Sequence, residues 1–187
     1  MVETGRVYTN ARSGGTFAVL THWDDTEGEL LEYERSLPPG GGKFSPHVHL
    51  DFSQVFTVSE GRTRAALGGE KLVLGPGDTL EVPQGAAHLD PWNPGPERAV
   101  VRNRISPVPE VCRLFVETMV AGVVEGRLNR HDELPWLQLV VLLQETNGQT
   151  FDSRFPVGLQ RASVPLLGAL GRLLGHHVVR SHDASTT

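Results

Sequence analysis

A chain of 187 residues, 39% of them hydrophobic, is long enough for one domain, or for one domain with a substantial extension. Its formal charge of −5 and pI near 5.9 argue against a nucleic-acid-binding surface, because phosphate recognition needs clustered Lys and Arg. The single cysteine, Cys112, rules out an internal disulfide, the first residues lack a basic-then-apolar signal pattern, and no apolar run approaches the roughly eighteen residues of a membrane span, so a cytoplasmic protein is expected.

Residues 1–15 are polar, with Ser13-Gly14-Gly15 read as a loop. Phe17–Thr21 reads as a strand and Asp24–Gly28 as a charged turn. Glu29–Leu37 reads as a second strand, with Leu31, Tyr33 and Arg35 on one face and Leu30, Glu32 and Glu34 on the other. Pro38-Pro39-Gly40-Gly41-Gly42 stops it, since proline cannot donate to a ladder and glycine permits a sharp bend. Further strands are expected at Gln54–Ser59, Arg62–Leu67, Lys71–Leu74, Thr79–Val82 and Glu97–Ile105. Such short segments between Gly and Pro turns predict a β-sandwich or barrel, ending at Ser106-Pro107-Val108-Pro109. The β domain is therefore assigned to residues 1–107.

Residues 108–187 change from period two to helical spacing. Val111, Leu114, Phe115, Thr118, Met119, Gly122 and Val123 outline an amphipathic helix that stops near Gly126. Pro135–Glu145 is apolar nearly all round, the pattern of a helix buried on several sides. A third helix is expected over Ser163–Leu174, with Pro165 in its first turn. Leu166, Leu167, Leu170, Leu173 and Leu174 form one stripe of it, and Gly168, Gly171 and Gly175 another, where a neighbouring backbone can come close. From His176 the tail is polar and reads as frayed. The extension is expected to cover the barrel's outer face or to form a homodimer. A monotopic membrane contact through Trp136 and the leucines is disfavoured, because the polar faces are poor in Lys and Arg.

Chemistry concentrates between Gly41 and His88. Residues two apart in a strand face the same way, so His47 and His49 can enter one cavity; Gln54 follows at the next strand, and His88 lies just past the turn Pro83-Gln84-Gly85. Three converging imidazoles favour a transition metal over calcium or magnesium. The first segment runs glycine (Gly41), His47-x-His49, Gln54 and Gly61; the second runs Gly77, Pro83-x-Gly85 and His88, with Asn93 soon after. Together, over roughly residues 15–107, they resemble the paired motifs of the cupin superfamily. The sequence departs from that pattern at Gln54, where the family usually has glutamate, and at Asn93, which falls one residue late.

The resemblance implies a double-stranded β-helix (jelly-roll) barrel followed by the helical extension. It implies one divalent transition metal (zinc, iron, nickel or manganese) on His47, His49, Gln54 and His88. Glutamine in place of glutamate removes a negative charge and a potential base beside the ion. The favoured function is a metal-dependent enzyme using the ion as Lewis acid on a small oxygenated molecule, sugar-like or polyketide-like, in isomerase, cyclase or lyase chemistry. A cupin dioxygenase and a non-catalytic sensing module are the alternatives. The His, His, Gln, His set is also similar to that of cupins that open unsaturated uronates, but Asn103 occupies the place of their last-strand aspartate. Asp90, Tyr33 and Asn103 are the candidate catalytic residues, and Phe56, Trp92 and Arg102 are further candidates for the cavity wall. The expected partners are a small-molecule ligand or substrate and a second copy of the chain.

Overall fold

In the computed structural model, which describes residues 2–146 and 149–179, the alternating segments close into two antiparallel sheets. The strands are β1 (Val7–Thr9), β2 (Thr16–Thr21), β3 (Leu31–Leu37), β4 (His47–His49), β5 (Ser53–Glu60), β6 (Thr63–Leu67), β7 (Glu70–Leu74), β8 (Thr79–Val82), β9 (His88–Trp92) and β10 (Ala99–Ser106). They are followed by helix α1 (Glu110–Val124), helix α2 (Trp136–Glu145), strand β11 (Thr150–Asp152) and helix α3 (Val157–Leu173). One sheet has the order β1-β2-β3-β10-β5-β8, and the other β11-β4-β9-β6-β7. This is a double-stranded β-helix carrying a C-terminal helical extension.

Strict alternation selects the inward set. Leu31, Tyr33, Arg35 and Leu37 of β3 are buried, as are Ala99, Val101, Asn103 and Ile105 of β10. At one end the core is purely apolar, built from Leu37, Phe56, Val58, Leu80, Val82 and Val101. At the other end Phe17, Leu31, Tyr33 and Ile105 meet Val111, Cys112, Val116 and Val120 of α1. Each such side chain removed from water contributes about 1.5–3 kcal/mol. The cavity adjoins the second region and shares Tyr33, Ile105, Val111 and Cys112 with it. Asn93, buried, donates to the carbonyls of Leu37, Pro38 and Glu97, which ties the glycine-rich turn after β3 to the entry of β10. Gly61 is needed for packing, since a Cβ there would stand 2.5 Å from the carbonyl oxygen of Arg98.

The residues read as a polar N-terminal loop contain β1, in which Tyr8 is buried between exposed Val7 and Thr9; a three-residue strand shows too little alternation to read. The extension is not wholly helical: β11 pairs with β4 and joins the barrel's own sheet. Helix α3 starts at Val157, so Pro165 lies in its interior, not its first turn. Its start is pinned by the Gln160 side chain, which bonds the backbone of Asp152 and Phe155. Most of the leucine stripe faces outward, with Leu166 75% and Leu173 85% exposed; Leu167 is half-buried on the cavity, and Gly168 and Gly171 are buried against α2. Close backbone approach needs the glycines, and one helix face cannot serve both stripes. Helix α2 buries Leu137, Gln138, Val141 and Leu142, while Trp136 is exposed. The tail read as frayed returns onto the helices as far as Val179: Gln138 Nε2 donates to the carbonyl of His177, and the Val179 amide to Thr118 Oγ1. The remainder of that tail, His182 included, lies outside the described residues. Among the described residues no helix is long and apolar enough to cross a membrane.

A Cβ at Gly171 would stand 2.7 Å from Val141 Cγ2 and 3.2 Å from the Leu137 carbonyl oxygen. Gly171→Val is therefore expected to lower stability by about 1–3 kcal/mol in urea titration. Leu173→Gln on the outward stripe is expected to change it by no more than about 0.5 kcal/mol. The opposite ranking would mean that the leucines, not the glycines, form the packed face.

Candidate metal centre

Strand β4 is the middle of a three-strand step: β9 pairs on one side with His88 opposite His47, and β11 on the other with Thr150 opposite His49. The pleat sends His47 and His49 into the barrel together, where His88 meets them. Ring centroids are 4.7 Å apart for His47 and His49, 4.3 Å for His47 and His88, and 5.0 Å for His49 and His88. One nitrogen from each ring lies within 4.8 Å of the other two.

The opposite nitrogens are already engaged. His47 Nδ1 is 2.7 Å from the Ser45 carbonyl oxygen, His88 Nδ1 is 3.0 Å from that of Ala86, and His49 Nδ1 is 2.9 Å from Thr150 Oγ1. A carbonyl can only accept, so Nδ1 of His47 and His88 carries the hydrogen and Nε2 is left with its lone pair facing the cluster. This is the arrangement that metal-ligating histidines need, with the outer oxygens setting tautomer and ring orientation. The set suits zinc, iron or nickel.

Gln54 reaches the cluster from β5 in the facing sheet. Its Nε2 is 2.8 Å from His88 Nε2, while its Oε1 accepts from Asn103 Nδ2 at 3.2 Å. The same Asn103 nitrogen donates to the Tyr33 hydroxyl at 2.7 Å, and Asn103 Oδ1 is buried without a partner. In this arrangement Gln54 offers a hydrogen to His88. Turning both amides over keeps their mutual bond, lets the Tyr33 hydroxyl donate to Asn103, and swings Gln54 Oε1 toward the cluster. Gln54 can thus serve the site by either end.

Asp90 supplies the carboxylate that Gln54 lacks. Two residues after His88 on β9, it shares that residue's inward face, its side chain 13% exposed. Its Oδ1 is 3.3 Å from His88 Nε2 and 3.7 Å from His47 Nε2, and is buried with no aligned hydrogen bond. Burial works to raise the Asp90 pKa, but His47, with His88 and His49, holds it down to about 2. Burial, reinforced by His47 and His88, pushes His49 down to about 2, and burial lowers His47 although Asp90 opposes it. For His88 burial is outweighed by Asp90 and the Ala86 carbonyl, so it titrates above the ordinary 6.5.

Of the other residues weighed from sequence, Tyr33 lines the cavity and Asn103 is buried behind it. Phe56 belongs to the apolar core, Trp92 packs under Lys43, and Arg102 points outward to Glu32 and Glu34, because β10 turns its even-numbered residues away from the barrel. Asp51 accepts from Gln149 at the surface. His22 caps the short turn at Trp23–Thr26, and His131 accepts from Arg130. Cys112 is buried and lines the cavity from α1, its thiol pushed up by burial. Sequence reasoning missed Thr150 and the cavity walls supplied by the extension. A three-residue strand and partners about a hundred positions away leave no local pattern.

Replacing Thr150 by Val should weaken zinc binding ~10–100-fold in competition titration, with the circular dichroism of the fold unchanged. In the metal-free protein Asp90→Asn removes the charge that raises His88, so burial should take its pKa below 6.5. Imidazole nitrogen NMR across the pH range checks this, and an unmoved His88 would reject the pairing. Since an ion must displace the His88 proton, wild-type zinc affinity should fall as pH drops through that titration, and less steeply in Asp90→Asn.

The Cupin domain family model matches residues 33–103. Comparison with curated proteins gives no match. Among solved structures, a Thermus thermophilus protein is similar at 28% identity over 44% of this chain and 76% of its own, with a TM-score of 0.40. An RmlC-like cupin from Shewanella frigidimarina is similar at 21% identity, over 58% and 92%, with a TM-score of 0.46. A predicted oxalate decarboxylase from Thermotoga maritima is similar at 20% identity, over 58% and 99%, with a TM-score of 0.47. The matched segment runs from Tyr33 on β3 to Asn103 on β10 and encloses the histidine cluster, Gln54 and Asp90. With both motifs in register around one cavity between two facing antiparallel sheets, residues 33–103 are the part of this chain that matches the Cupin domain family.

Proposed function

We propose that this protein is a metal-dependent enzyme that moves a proton on a small oxygenated substrate, in isomerase, cyclase or lyase chemistry. The observation that carries this reading is three imidazoles, whose outer nitrogens are engaged, beside the Asp90 carboxylate, whose buried Oδ1 lies 3.3 Å from His88 Nε2 and 3.7 Å from His47 Nε2. His47, His49 and His88 would hold the ion, with Gln54 as a further oxygen ligand or hydrogen-bond donor. A bound divalent ion would polarise a substrate carbonyl or acidify a coordinated water.

Asp90 both borders the ligand nitrogens and lines the cavity, so a ligand held at the histidines lies within its reach. Held ionised by the histidines, it can accept a proton. Tyr33 is the complementary group. Burial raises its pKa, so the phenol stays neutral, and because its oxygen accepts from Asn103 its own hydrogen is free to bond a substrate oxygen. An acid–base pair of this kind supports proton transfer over oxygen chemistry.

After incubation with zinc, iron(II), nickel or manganese, mass spectrometry should find one transition ion per chain in the wild type and none in His49→Ala. Asp90→Asn should retain an ion but lose about 10²–10⁴ of the rate of solvent-deuterium exchange into an α-hydroxyketone such as 1-hydroxyoctan-2-one. A wild type that stays metal-free with all four ions would sink the proposal, and oxygen uptake with the same probe would replace it by dioxygenase chemistry.

A further inference from the structure

The cavity that opens onto the histidines has a volume of about 580 Å³, the size of a site for a drug-sized molecule. Its floor and its walls come from different parts of the chain. The barrel supplies the polar floor: His47, His49, Gln54, Asp90 and Tyr33. Residues after 107 supply most of the wall, with Val111 and Phe115 from α1, Leu139 and Leu143 from α2, and Val164 and Leu167 from α3. At the rim stand Trp136, Phe155 and Leu159, respectively 61%, 52% and 58% exposed.

The few polar groups of that wall are already committed. The Gln160 amide accepts from the Asp152 backbone nitrogen and donates to the carbonyls of Asp152 and Phe155. The Ser163 hydroxyl turns to the Gln160 carbonyl at 3.5 Å. Arg154 donates from Nε and Nη2 to the Asp152 carboxylate and from Nη2 to Ser45 Oγ. A polyhydroxylated ligand would therefore leave hydroxyls stripped of water without new partners, each lowering affinity roughly tenfold or more. An apolar body gains from the same wall, and the outward-facing rim aromatics extend it to the mouth.

Resting on the metal reading above, we infer that the ligand is an amphiphile: an apolar chain or ring system lies against α1, α2 and α3, and a single oxygen-bearing head reaches the three histidines. The sugar-like substrate expected from sequence does not fit this wall. The helical extension is then the specificity element, and the barrel the chemical one.

Isothermal titration of the zinc-loaded full chain with acetohydroxamate and octanohydroxamate tests this, since both present one chelating head and differ by six methylenes. Full burial of each methylene is worth about fourfold, so the longer probe should bind at least ~100-fold tighter. Val164→Trp should erase most of that advantage by filling the wall, with zinc content as the control for folding. Should that variant fold poorly, Leu167→Gln reports on the same wall, and the wild-type length dependence stands by itself. A length advantage below about tenfold, or one undiminished in both folded variants, overturns the inference and leaves the metal centre intact. Binding of both probes to His49→Ala as tightly as to wild type would instead overturn the metal reading beneath it.

Discussion

The site depends on the pairing of β4 with a strand on each side. A strand as short as His47–His49 has little to hold it alone, and its two histidines face an open cavity instead of a packed core. β9 fixes one edge and places His88 opposite His47; β11 fixes the other and places Thr150 opposite His49. Because side chains alternate with every residue, a slip of one position in either pairing would turn both imidazoles out of the barrel. The ladder thus sets which residues face the cavity, and the carbonyls of Ser45 and Ala86, with Thr150 Oγ1, set which nitrogen of each ring does.

Charge within the cluster follows from that geometry. With a neutral amide at Gln54, three histidines would surround an ion with no compensating charge from the protein. Asp90 restores one from the neighbouring strand, close to two of the three ligand nitrogens. A buried carboxylate is costly unless paired, and the mutual shifts of Asp90, downward, and His88, upward, record that pairing. The amide chain from Gln54 through Asn103 to Tyr33 is neutral throughout. It brings a hydroxyl to the cavity without adding charge, and the carboxylates near the histidines are Asp90 on β9 and Asp152, opposite His47 on β11.

The extension supplies most of the cavity wall. Here α1 closes part of the barrel core, β11 continues the histidine sheet, and α2 and α3 lean together through Gly168 and Gly171 to leave an apolar chamber above a polar floor. The outward leucines of α3 follow from this, since the helix spends its glycine face on α2 and part of the opposite side on the chamber.

Sequence alone carried most of the strands, because strand alternation and Gly and Pro turns are local and repeat every few residues; the choice of barrel over sandwich came from the resemblance of the paired motifs. It also carried His47, His49, Gln54 and His88, whose spacing survives as a linear pattern, and the inward placement of Tyr33 and Asp90, which follows from alternation once the strand is known. Tertiary structure alone decided which strands became neighbours. That choice rests on contacts between residues far apart in the chain, and it is what brought Thr150 to His49, Asn103 to Gln54, and three helices over the histidines to make an apolar wall. It also decided which stripe of α3 is buried, because leucine and glycine both answer to packing, and only the neighbouring helix determines whether area or close approach wins.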